Sequence, residues 1–102
     1  MIKREPLPPA HDAEAIAINA LKFLAGRPEE LGRFLTLSGI DPADLRELAA
    51  DTQFLGGVLD FLLADEALLL VFAAEAGLAP NAIADVRRSL EHGRRPLESG
   101  EG

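Results

Sequence analysis

The stretch FLGGVLDFLLADEALLLVFAAEAGL, Phe54 to Leu78, decides the fold class. Asp51 or Thr52, just ahead of it, caps a helix that runs through Leu63. On a helical wheel its residues Phe54, Leu55, Val58, Leu59, Phe61, Leu62 and Leu63 cover about 200° of arc. Gln53, Gly56, Gly57 and Asp60 fill the remainder. Asp65 caps the next helix, which ends at Gly77. Within it Leu68, Leu69, Leu70, Val71 and Phe72 point in every direction, and a helix apolar all round is a buried one. This second helix is therefore expected to be the hub, with the slowest amide exchange in residues 66–74. The two interior glycines cost the first helix on the order of 2 kcal/mol of propensity. They predict a close helix crossing over Gly56 and Gly57, with Arg33 or Arg46 approaching Asp60.

Outward from this pair the chain keeps reading as helix. Asp12 is a reasonable N-cap for a first helix to about Ala25, with Gly26 as its left-handed stop. Ala13, Ile16, Ala17, Ala20, Leu21, Phe23 and Leu24 form its apolar stripe. Pro28, Glu29 and Glu30 open a second helix that Gly39 closes, with Leu31, Phe34 and Leu35 on one face. Asp41 and Pro42 start a third, in which Leu45, Leu48 and Ala49 point inward. Ala79 and Pro80 start a sixth, with Ala82, Ile83, Val86 and Leu90 sharing a face and Gly93 ending it. No segment alternates with period two, and no Asn-Gly or Asp-Gly turn appears. The prediction is all-α: a compact orthogonal bundle of five or six short helices around a central apolar helix. It forms a single domain over residues 11–93. Residues 1–10, with three prolines in four positions, are expected to be a disordered tail, and 94–102 a flexible one.

Composition narrows the function. The chain has 102 residues, net charge −7 and no cysteine, so disulfides, thiolate catalysis and cysteine-held metals are excluded. Residues 11–93 carry 6 basic and 14 acidic residues, a net charge of −8 that repels phosphate backbones and anionic lipid. The longest apolar run, Ala67 to Ala74, is far shorter than the roughly 20 residues that span a bilayer. Prolines interrupt the place where a signal peptide needs its apolar stretch, so a cytoplasmic location is expected.

Catalysis has no candidate. The two histidines, His11 and His92, lie at opposite ends of the helical region, and no H-x-x-x-H, H-E-x-x-H or E-x-x-H spacing exists. His92 in a last helical turn reads as a complement to the helix dipole. Few hydroxyls are available for a nucleophile, and Gly56-Gly57 lacks the following lysine of a phosphate loop. Glu29-Glu30 and Asp65-Glu66 sit in first turns, where helix polarity favours carboxylates. No cofactor, metal ligand or catalytic residue is assigned, and the chain is expected not to be an enzyme.

Two features bear on binding. FAAEAGLAPNAIADVRRSL, residues 72–90, resembles a helix-turn-helix: Ala73 allows close approach, Gly77 turns the chain, and Leu78, Ile83 and Val86 are buried contacts. Its exposed line would be Asn81, Asp85, Arg88 and His92, and the acidic Asp85 there disfavours DNA. Arg87, Arg88, Arg94 and Arg95 form either a phosphate-contacting strip or a cationic helix end, and the second fits the acidic remainder better. The other feature is apolar excess, with twelve large apolar residues between Phe54 and Phe72. Most of them fill the core, and the surplus identifies Phe61 and Leu63 as residues able to reach the surface and contact a partner.

The strings FLA (Phe23 to Ala25), LGRFL (Leu31 to Leu35), GIDP (Gly39 to Pro42), ADT (Ala50 to Thr52) and Phe54 to Leu78 together have a familiar order. In them the chain resembles an uncharacterised family of short alphaproteobacterial proteins, a domain of unknown function, over about residues 12–92. The resemblance implies a small cytoplasmic bacterial protein and transfers no activity or site; Arg33 and Asp60, which fall within the shared strings, are the polar residues to inspect first. The function expected from the residues is a non-enzymatic helical protein–protein interaction module, binding an unknown protein partner or itself. The alternative is a helix-turn-helix nucleic-acid binder using residues 73–92, with Asn81, Arg87 and Arg88 as contacts. An enzyme comes third.

Overall fold

The structure, a computed structural model, describes residues 10–94. Of the tails expected at 1–10 and 94–102, residues 1–9 and 95–102 lie outside the described residues, as do the side chains of His11 and His92, whereas residues 10 and 94 are helical. Among the described residues six α-helices follow one another: α1 (Ala10–Ala25), α2 (Pro28–Ser38), α3 (Leu45–Leu48), α4 (Thr52–Leu63), α5 (Glu66–Ala76) and α6 (Pro80–Arg94). A 3₁₀ turn, Pro42–Asp44, leads into α3. Among the described residues there is no strand, so the all-α prediction holds.

The starts and stops have local causes. Asp51 accepts hydrogen bonds from the backbone N–H of Gln53 (2.8 Å) and Phe54 (3.3 Å), supplying partners for orphan donors of α4. Asp65 does the same for Leu68 at 3.2 Å, and Asp41 for Ala43 at 3.0 Å. Gly39 and Gly77 close α2 and α5 in the left-handed region, at φ 69° and 72°. In both, the next residue bonds back to the helix, Ile40 N–H to Leu35 (3.1 Å) and Leu78 N–H to Ala73 (2.9 Å), a Schellman closure. Three expectations need correction. α1 begins at Ala10, so Asp12 lies inside its first turn. Gly26 does not adopt positive φ; its N–H bonds to the carbonyls of Lys22 and Phe23 at 3.2 Å, and the chain passes directly into α2. α6 continues through Gly93 to Arg94.

The core sits where α1, α4 and α6 meet. α1 brings Ala13, Ala17, Ala20 and Leu24, at spacings of four, three and four, all with no exposed surface. Small side chains on that stripe let its backbone lie close to its neighbours. α4 brings Leu55, Val58, Leu59 and Leu62, and α6 brings Ile83, Val86 and Leu90. Full burial of each large side chain stabilises the fold by about 1.5–3 kcal/mol. α2 attaches by aromatic contacts: the Phe34 ring lies 5.7 Å from Phe54 and 5.3 Å from Phe61. α5 attaches through Leu68, Phe72 and Ala73, with Phe72 5.3 Å from Phe23 of α1.

The hub is thus α4, not the helix containing residues 68–72. α5 buries one half and leaves Leu70 47% and Val71 39% exposed. The central helix is apolar, as expected, but it is the one with a polar arc. That arc is also not crossed by a helix. A Cβ on Gly57 would meet nothing within 4 Å, and a Cβ on Gly56 would meet the Arg87 guanidinium, with Cζ at 2.9 Å. The neighbour that glycine admits is one long side chain, and only at Gly56.

Candidate functional site

The helical corner forms as the sequence suggested. α5 and α6 meet at 89°, within the range of helix-turn-helix pairs, and Ala73 is buried at their junction. The residues assigned to nucleic acid do not make a cationic surface there. Arg87 reaches back to α4, donating Nε–H to Asp60 Oδ1 at 2.9 Å and Nη2–H to Oδ2 at 3.3 Å. Arg88 pairs with Asp85 one turn earlier on α6. Asn81 is exposed at the helix start. Asp60 therefore has Arg87 as its partner, in place of the expected Arg33 or Arg46.

Arg33 is used elsewhere. Its Nη2–H donates to Asp65 Oδ2 at 3.1 Å, and its guanidinium lies 5.3 Å from the centre of the Phe61 ring. Asp65 caps α5 with its other oxygen, so one carboxylate starts α5 and tethers it to α2. Phe61 is consequently half-buried between Phe34 and Arg33, and Leu63 is half-buried against the core. These two residues, expected to reach a partner, are mostly taken up by the fold.

The exposed apolar surface lies instead on the outer half of α5. Ala67, Leu70, Val71 and Ala74, at spacings of three, one and three, are all exposed and share one face. Glu66 and Glu75, about 180° apart on the wheel, mark its two edges. Beside the Glu75 edge stands Arg27, at the α1–α2 junction. Its guanidinium lies 4.6 Å from the centre of the Phe23 ring. Arg27 lines one shallow depression with Lys22 and Glu75, and another with Glu30, Asp65, Ala67, Leu68 and Val71. Among the described residues, neither Arg27 nor Glu75 forms a salt bridge. Leu37, on α2, is the other large apolar residue with high exposure among the described residues, at 72%.

The sequence reading missed this face because a run of five large apolar residues has no periodicity to show which half turns inward. Chemistry is sparse across the described residues. No group of three histidine or acidic side chains is placed to hold a metal ion. A groove of about 350 Å³ between α1 and α5 is lined chiefly by Ile16, Phe23, Phe72 and Leu78, with Asn19, Lys22 and Glu75 as its polar groups. Among the described residues, no single helix is long and apolar enough to cross a membrane.

Comparison with known proteins adds one finding. The sequence pattern of a protein family of unknown function, DUF3572, matches residues 10–93. That span takes in the whole of the helical bundle except its final residue. No curated protein and no solved structure gave a significant match. The chain belongs to the DUF3572 family of proteins of unknown function.

Proposed function

We propose that this protein is a non-enzymatic interaction module of the bacterial cytoplasm that docks through the outer face of α5. The observation that carries this reading is the stripe of Ala67, Leu70, Val71 and Ala74, exposed on a helix whose opposite half is in the core. Single exposed apolar residues are ordinary on protein surfaces, but a contiguous helical stripe with charged edges is the form in which helices pack on one another. The helix is anchored at both ends, by the Asp65 cap and the Gly77 closure, so the face is presented without ordering cost.

The nucleic-acid reading keeps one supporting observation, the right-angled corner of α5 and α6. Against it stand the carboxylates that neutralise Arg87 and Arg88, and the net charge of −8 over residues 11–93. A photo-crosslinking residue placed at 70, and separately at 88, in cells making the full chain tests the proposal. Adducts are expected from position 70 and not from 88. Equal labelling at both positions, or none at 70, would refute docking through α5.

A further inference from the structure

We infer that the occupant of the α5 face is a second copy of this chain, packed antiparallel, α5 against α5. This rests on the docking reading above and adds the identity of the partner. Three observations carry it. The stripe reads small, large, large, small: Ala67, Leu70, Val71, Ala74. A two-fold axis running between the two copies of α5, level with the Leu70–Val71 bond, sets Ala67 level with Ala74 of the other copy, and Leu70 level with Val71. The pattern is its own complement, which an isologous interface requires.

The second observation is the charge at the edge. An antiparallel two-fold makes each edge of α5 face the same edge of the other copy while reversing the helix direction. Glu75, at the C-terminal end, then faces the N-terminal half of the partner edge. That is where Arg27 stands beside Ala67, Leu68 and Val71, in a depression also lined by Glu30 and by Asp65, the latter already paired with Arg33. Two equivalent Arg27–Glu75 pairs form, from two groups that form no salt bridge among the described residues of one copy. The third observation is the placement of Arg27 over Phe23, 4.6 Å from the ring centre, which holds the guanidinium at the edge of the stripe before any partner arrives. A uniformly basic partner helix fits less well, because Lys22 and Arg27 already adjoin Glu75 on this edge.

An 11-residue helix presents a face only about 16 Å long. Stable interfaces bury about 1,200–2,000 Å² in total, and this one falls at or below that range. The net charge of each copy opposes association as well, screened beyond about 8 Å at physiological salt. The dimer is therefore reversible, and concentration reveals it.

Sedimentation velocity of the full chain, from low micromolar to near-millimolar concentration, is the test. The mass is expected to rise from the monomer value of 10.9 kDa toward twice that value. Leu70→Glu should hold the chain monomeric with unchanged circular dichroism. Arg27→Glu and Glu75→Arg should each weaken the dimer roughly three- to tenfold, as expected for two rim pairs. The chain carrying both changes, whose net charge equals that of the parent, should recover it. Glu75→Arg alone is the sharper arm, because it lowers the magnitude of the net charge and would strengthen a dimer opposed only by general repulsion. A monomer at every concentration, or a dimer indifferent to both Leu70→Glu and the charge exchange, overturns the inference. If crosslinks at position 70 persist while the chain stays monomeric, docking stands with another partner. If those crosslinks are absent too, both fall.

Discussion

Arg87 reaches Asp60 by passing over Gly56. The guanidinium donates to the carboxylate from Nε at 2.9 Å, and a Cβ added at Gly56 would lie 2.9 Å from its Cζ. The polar arc of the most buried helix is therefore a slot for one arginine, and α6 is clipped to α4 through it. The adjacent Gly57 has no such neighbour. Two glycines that look alike in the sequence have different surroundings.

That difference is measurable. Gly57→Ala should stabilise the protein by about 0.4–1 kcal/mol, through helix propensity and a less flexible unfolded chain. Gly56→Ala makes the same local gain but must displace the Arg87 head group. Its loss of the Asp60 pair offsets much of that gain, about 0.2–1 kcal/mol for an ion pair so open to water. In an Arg87→Ala background, Gly56→Ala should recover the full benefit. Urea unfolding of the four variants decides it; equal midpoints for Gly56→Ala and Gly57→Ala in the parent background would show that Arg87 yields without cost.

The position of the hub gives a second contrast. Leu59, fully buried in α4, and Leu70, half out of α5, lie in equally apolar sequence. Leu59→Ala should cost about 2–5 kcal/mol and Leu70→Ala well under half of that. Amide exchange should be slowest along residues 55–62 of α4, in place of 66–74. Slower exchange in α5 than in α4 would contradict the packing.

The Asp51 cap starts the central helix, so its loss is felt by the whole fold. Asp51→Ala should destabilise by about 0.5–2 kcal/mol, because the N–H groups of Gln53 and Phe54 lose their acceptor. Asp51→Asn keeps an oxygen acceptor and should restore most of the stability. A denaturation midpoint unchanged by Asp51→Ala would mean that water serves those donors equally well.

Random duplex DNA should not bind at physiological salt in the usual non-specific range of about 10⁻⁴–10⁻⁶ M. The net charge of −8 over residues 11–93 sets this expectation, and the Arg87 and Arg88 ion pairs reinforce it. Fluorescence anisotropy with a labelled duplex checks it across a salt series. Micromolar binding that falls steeply with salt and vanishes in Arg87→Ala/Arg88→Ala would restore the nucleic-acid reading.

What the amino-acid order determined by itself is the helical plan. Short-range chemistry carries it: the Asp51 and Asp65 caps, the Pro28 and Pro80 starts, and the Gly39 and Gly77 closures act within a few residues of their own position. Where a boundary depended on what surrounds it, as at Gly26 and Gly93, the local signal misled. Tertiary structure decided which helix lies at the centre and which apolar face stays outside. In α5 Glu66 and Glu75 divide the helix into two apolar halves, Leu68, Leu69 and Phe72 on one and Leu70 and Val71 on the other, and neither half carries a polar residue to mark it as the outer one. α5 turned the Phe72 half inward because Phe23 of α1 offers that ring a partner, while α1, α4 and α6 close the core around Leu59 without it. The partner of Asp60 was decided in the same way, by α6 lying within an arginine's reach of α4, a distance that no spacing along the chain records.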